Sequence, residues 1–234
     1  MTLDIQLIKL LCFDVDGTIS DTDDVMVNKL NRYISVLTRL NPSFDTYNLA
    51  RRLVMGIETP ANLVFSIPDR LGMDDEIAWV IDRFYRLGIG KRRPPFWLIK
   101  DILPVLDVLA ISYPMVIISA RDHQGTMAFL DHFDLAHRFQ AIITAQTCVH
   151  TKPYPDPILH AAALAGVRPE ECLMIGDTTV DILSARKAGA QSIGVLCGFG
   201  NEAELRKAGA NLILKHTTLV GGLLLQSQGS SDKL

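Results

Sequence analysis

The sequence is poor in the features that mark several common protein classes. It has four cysteines, Cys12, Cys148, Cys172 and Cys197, all far apart. No Cys-x-x-Cys pair occurs and no His or Cys pair has metal-ligand spacing, which argues against a zinc site. Basic residues are not in excess: 23 Lys and Arg against 26 Asp and Glu leave a net charge of −3. That balance gives no sign of a nucleic-acid surface. No apolar run is long enough to span a bilayer, and the N-terminus lacks a basic region followed by a cleavable apolar stretch. These absences set the expectation of a cytoplasmic protein with no membrane and no nucleic-acid partner.

What is present is a large apolar fraction and a regular alternation. Of the 234 residues, 48% are hydrophobic, enough for one sizeable core or a core with an insertion. An apolar run at residues 7–13 reads as a buried strand. From Phe96 onward helix and strand alternate. Helical spacing runs over 96–110, 124–132, 156–165, 179–188 and 202–208. Short apolar strands lie at 115–118, 141–143, 172–175, 192–196 and 212–214. Such alternation predicts an α/β fold, a Rossmann-like parallel sheet with helices on both faces.

Residues 21–93 read differently, with helix signals and no convincing strand. Thr59-Pro60, for example, is a cap followed by proline at the first helical position. We expect a helical domain inserted after the first strand, so that 1–20 and 94–225 form the core. The polar segment 226–234 is expected to be a disordered tail. Trp97 reads as a packing residue.

Polar clusters follow the strands. Asp14-Val15-Asp16-Gly17-Thr18 follows the first, Ser119-Ala120-Arg121 the second, and Lys152 lies beyond the third. Gly176-Asp177-Thr178-Thr179-Val180-Asp181 follows the fourth. Asp and Gly are also ordinary turn residues, and any one cluster could simply close a strand. In an open parallel sheet, however, the carboxyl ends of the strands share one edge, where ligands bind. Asp14, Asp16, Ser119, Lys152, Asp177 and Asp181 can therefore converge. Two carboxylates about 4 Å apart repel by roughly 4 kcal/mol at an effective dielectric near 20. One lysine is too little compensation for several, so a divalent cation is the simplest remedy. An all-oxygen donor set favours Mg²⁺. Mg²⁺, Lys152 and the Ser119 hydroxyl together would suit a phosphoryl group.

These motifs resemble those of the haloacid dehalogenase-like superfamily of phosphohydrolases. Phe13 to Thr18 is similar to its first motif, Ser119 to its second, Lys152-Pro153 with Pro155 to its third, and Gly176-Asp177 to Asp181 to its fourth. The resemblance covers nearly the whole chain, including a helical cap after the first motif, and is nearest to the phosphoglycolate phosphatase-like and β-phosphoglucomutase-like groups. It implies that Asp14 attacks phosphorus to form an aspartyl-phosphate. Asp16 would protonate the leaving alcohol and then deprotonate the attacking water. Mg²⁺ would be held by Asp14, the main-chain carbonyl of Asp16 and Asp177. Ser119, with Ala120 beside it, and Lys152 would hold the phosphoryl oxygens, and Asp181 would orient Lys152 or a metal-bound water. Gly17 would permit a tight turn that aims amide groups at phosphate. Ala120 departs from the family, which often has Asn there; Arg121 either takes the place of that amide or faces solvent. In the cap, Arg51 and Arg52 read either as anion receptors or as a solvated basic face, and Gly56 as part of a loop directed at the active site.

The expected activity is that of a Mg²⁺-dependent phosphatase acting on a small phosphorylated metabolite, as a monomer or homodimer. A sugar phosphomutase and a non-catalytic phosphoryl-ligand binder are the alternatives.

Overall fold

The computed structural model describes residues 2–21 and 96–228, with positions 31–33, 35 and 46 between them. The chain divides into two compact units, Met1–Asp23 with Phe96–Leu234, and Asp24–Pro95. The expectations for Arg51, Arg52, Gly56 and the helices around them lie outside the described residues.

The first unit contains a six-stranded parallel sheet: β1 (Leu10–Phe13), β2 (Met115–Ile118), β3 (Ala141–Ile143), β4 (Cys172–Gly176), β5 (Gln191–Val195) and β6 (Leu212–Leu214). Their order is β3-β2-β1-β4-β5-β6. The helices between and after them are α1 (Ile102–Ser112), α2 (His123–His132), α3 (Asp156–Ala165), α4 (Thr179–Ala188), α5 (Glu202–Ala208) and α6 (Leu219–Gln228). This is the Rossmann-like arrangement that the alternation predicts. The inner strands β1, β2 and β4 are continuous apolar runs because helices cover both faces of the sheet.

Side chains alternate between those faces. Leu11, Phe13, Ile117, Leu173, Ile175 and Ile193 pack with Leu106 of α1, Phe129 of α2 and Leu224 of α6. Leu10, Cys12, Val116, Ile118 and Met174 face the other way, onto Ile158 and Ala161 of α3 and Ala185 of α4. Cys12 and Cys172 are buried free thiols.

Three expectations are corrected here. The helix read over 96–110 begins only at Ile102, because Leu98 bridges to Ser20 in antiparallel fashion and Asp101 turns left-handed at φ 61°. Trp97 is no core residue; it is 51% exposed, while its carbonyl accepts from the Asp21 amide at 2.9 Å. The polar tail does not start at 226, since α6 runs to Gln228. Gly221-Gly222 hides that helix from propensity, and burial of Val220 and Leu224 holds it. No helix among the described residues is long and apolar enough to cross a membrane.

Candidate active site

The strand order reverses between β1 and β4, so their carboxyl ends border the crevice where an open α/β sheet accepts ligands. Asp14 follows β1 directly and Asp177 follows β4. The Asp14 amide donates to the Ile175 carbonyl at 3.0 Å, extending the β1–β4 ladder by one residue and fixing the spacing of the two aspartates. Lys152 comes from the loop between β3 and α3, and Asp181 from the first turn of α4.

These four side chains meet. Lys152 Nζ lies 2.8 Å from Asp14 Oδ1 and 2.7 Å from Asp181 Oδ1. Asp181 Oδ2 accepts from the Thr178 amide at 3.0 Å and the Thr178 hydroxyl at 2.7 Å. Asp177 Oδ2 accepts from the Phe199 amide at 2.7 Å. Carboxylate oxygens of Asp14, Asp177 and Asp181 all lie within 4.8 Å of one another. All four residues are buried.

Three carboxylates thus face one ammonium in a site largely without water. Burial, then the Asp181 and Asp16 charges, push the Asp14 carboxyl up to about 7 against the opposing pull of Lys152. Burial and the neighbouring Asp181 and Asp14 charges drive Asp177 well above the usual carboxylate range. Burial opposes the charge on Lys152, but Asp14 and Asp181 more than offset it and hold the ammonium above the ordinary lysine value.

The arrangement fits a divalent cation. Asp177 Oδ1 is buried and has no hydrogen-bond partner among the described residues, a costly state for a carboxylate oxygen. A hard cation bound by Asp177 and Asp14 would satisfy it and balance the excess negative charge. Asp181 is less available as a ligand, because both its oxygens already accept hydrogen bonds. It serves to position Lys152.

The remaining predicted residues surround this core. Ser119, 2% exposed, follows β2; its amide donates to the Ile143 carbonyl at 2.9 Å and its Oγ accepts from the Arg121 amide at 3.1 Å. Ala120 lies between them, half-buried. Gly17 has φ 67°, which permits the turn after β1. Its own amide, however, donates to the Ser20 carbonyl at 3.0 Å, and that of Thr18 to Val15 at 3.3 Å. Asp16 lies outside the carboxylate cluster. Arg121 Nε donates to Asp16 Oδ2 at 2.6 Å and Arg121 Nη2 donates to Asp16 Oδ1, so Arg121 does not simply face solvent.

Sequence reasoning overlooked the segment after β5. Phe199 supplies the amide that holds Asp177, and Gly198 lets the backbone approach: a Cβ there would stand 2.2 Å from Asp177 Oδ2 and 2.7 Å from Gly17 Cα. The available signal was Gly198-Phe199-Gly200 just beyond a strand, at the same sheet edge as the other clusters.

Comparison with known proteins agrees with this geometry. The family described as Haloacid dehalogenase-like hydrolase matches residues 11–195. A phosphoglycolate phosphatase of Chromobacterium violaceum is 26% identical over 208 residues, covering 87% of this chain and 91% of the relative. A pyrophosphatase of Anoxybacillus flavithermus is 27% identical over 192 residues, covering 80% and 83%. Among solved structures, a haloacid dehalogenase-like family hydrolase from Streptococcus pneumoniae superimposes with a TM-score of 0.64 at 25% identity, covering 92% of this chain and 97% of that one.

Proposed function

Because the chain belongs to the haloacid dehalogenase-like hydrolases, we propose that it is a Mg²⁺-dependent phosphatase that works through an aspartyl-phosphate on Asp14. The observation that carries this reading is the buried group at the switch point, where Lys152 Nζ lies 2.8 Å from Asp14 Oδ1 among three clustered carboxylates.

Asp14 is the nucleophile. Its oxygen bonds to phosphorus as the bond from phosphorus to the leaving oxygen breaks. Lys152 and the Ser119 hydroxyl hold phosphoryl oxygens during transfer. Asp16 gives a proton to the leaving oxygen, then takes one from the water that attacks the phosphoaspartate. That second displacement frees Asp14 and releases inorganic phosphate. Asp14, Asp177 and the main-chain carbonyl of Asp16 would hold Mg²⁺, which when bound supplies positive charge against the phosphoryl oxygens. Asp181 keeps Lys152 in place, and the Phe199 amide orients Asp177.

The substrate on this reading is a small phosphorylated metabolite; phosphoglycolate and pyrophosphate are the first candidates, since relatives are named for them. Residues 21–93 would form a cap that governs access, with Arg51, Arg52 and Gly56 setting specificity. We place the enzyme in the cytoplasm, as a monomer or homodimer. A phosphate-release assay with Mg²⁺ over sugar phosphates, phosphoglycolate, nucleotides and pyrophosphate tests the assignment. Phosphate release that disappears in Asp14→Asn supports it. Interconversion of hexose phosphates without free phosphate would point to a mutase, and ligand binding without turnover to a binding protein.

A further inference from the structure

Asp16 and Arg121 form a second charged contact at this edge of the sheet, unlike the first. Their side chains are 32% and 22% exposed, whereas those of Asp14 and Lys152 are 9% and 1% exposed. The pair is therefore partly open to solvent at this edge of the sheet. The Arg121 fork occupies both carboxylate oxygens of Asp16. Arg121 itself is anchored. Its amide donates to Ser119 Oγ, its carbonyl accepts from the Ala145 amide at 3.0 Å, and its guanidinium carbon lies 5.6 Å from the Phe129 ring centroid. Phe13 pairs with Ile117, so the segments that carry Asp16 and Arg121 leave the sheet side by side.

The fork conflicts with the work assigned to Asp16. A carboxylate that exchanges a proton with a leaving oxygen must turn one of its oxygens toward it, and the fork holds both turned toward Arg121. Arg121 has to let go of at least one. A partly exposed arginine gives up a bidentate partner most readily when another planar anion replaces it. We propose that Arg121 is a specificity-determining residue that exchanges Asp16 for a carboxylate or phosphate on the substrate's leaving group. The site then selects phosphomonoesters with a second anionic group next to the ester oxygen. Asp16 is released for proton transfer only when such a substrate is in place. This inference rests on the phosphatase reading above and deepens it.

The test compares phosphoglycolate with its neutral amide, phosphoglycolamide, using wild type, Arg121→Met and Arg121→Lys with Mg²⁺. p-Nitrophenyl phosphate is the control, read as first-turnover release of p-nitrophenolate: that departure needs no proton, whereas hydrolysis of the phosphoaspartate still calls on Asp16. Wild type should favour the charged ester in kcat/KM by about 10–100-fold, the worth of a charge-assisted hydrogen bond. In Arg121→Met the ratio should fall close to one. Arg121→Lys, a point charge without the fork, should fall between, and it decides the matter by the same ratio if the Met variant does not fold. A ratio unchanged from wild type, with both esters slowed alike, would overturn the inference and leave Arg121 a structural role. Wild type that hydrolyses p-nitrophenyl phosphate but does not distinguish the two esters overturns the partner exchange alone. Wild type inert toward these three but active on another compound of the panel above overturns this specificity alone; wild type inert toward the whole panel removes the phosphatase reading as well.

Discussion

The central strands β1 and β4 carry a charge cluster at each end, and the two are opposites. At the amino end, Lys9 precedes β1 and Glu171 precedes β4. Lys9 Nζ lies 2.8 Å from Glu171 Oε1, and Arg168 donates to the same carboxylate from its amide at 2.8 Å and from Nη2 at 3.1 Å. Two cations serve one carboxylate, and the Lys9 hydrogen bond, with those of Arg168, draws Glu171 down to about 2. At the carboxyl end one ammonium serves two carboxylates with a third nearby, and burial pushes Asp14 up to about 7. The strands are the same, so the fold dictates neither result. The amino end is arranged for the folded state. The carboxyl end holds an unfavourable excess of negative charge that a bound cation would relieve, as expected where a site is built for function.

The contrast can be broken most severely at Asp14, the proposed nucleophile. Asp14→Asn should lower phosphate release by at least about 10³-fold, yet keep or raise the melting temperature, because one charge of a crowded set is gone. Lys152→Met should do the reverse to the fold. Stripping the Lys152 ammonium from Asp14 and Asp181 should cost about 3–5 kcal/mol in urea unfolding. A loss under 1 kcal/mol would show that the carboxyl end is not strained as described. Removing divalent cations with a chelator should stop turnover. Restoring Mg²⁺ at about a hundred times its dissociation constant should stabilise the protein by about 2.7 kcal/mol, and Asp177→Asn should abolish that gain.

The smallest effect, and the sharpest for the comparison, is pH dependence of opposite sign. Asp14 is raised from 3.8 to about 7 on folding. Between those values the native state binds a proton that the unfolded chain does not, so stability of the metal-free protein should fall as pH rises across that window. Glu171 is lowered from 4.5 to about 2, so its contribution is present above 4.5 and lost as pH falls toward 2. Melting curves at stepped pH should show both slopes. Asp14→Asn should flatten the first and Glu171→Gln the second; a first slope that survives in Asp14→Asn would assign it to another group.

Most of the core was legible because its signals are local. Helices α3, α4 and α5 have the predicted bounds, and the strands other than β5, which opens on Gln191-Ser192, are apolar runs. Asp14, Lys152, Asp177 and Asp181 could be brought together on paper because parallel strands must share a carboxyl edge. What escaped depends on tertiary contact. Propensity in α6 is broken by Gly221-Gly222, and only packing of Val220 and Leu224 restores it. The partner of Arg121 depends on where a loop side chain turns, which no periodicity encodes. The Phe199 amide was invisible for a simpler reason: every residue except proline has one, and only the path of the chain decides which is used.

The position of β1 in the middle of the sheet has a consequence during synthesis. Its codons are translated well before those of its neighbour β4, which starts only at Cys172. A nascent chain on the ribosome therefore exposes one raw edge of β1 until Gly176 has emerged. A message truncated before Cys172 would yield a polypeptide carrying Asp14 but with that edge unpaired and without Asp177, open to pairing with other chains.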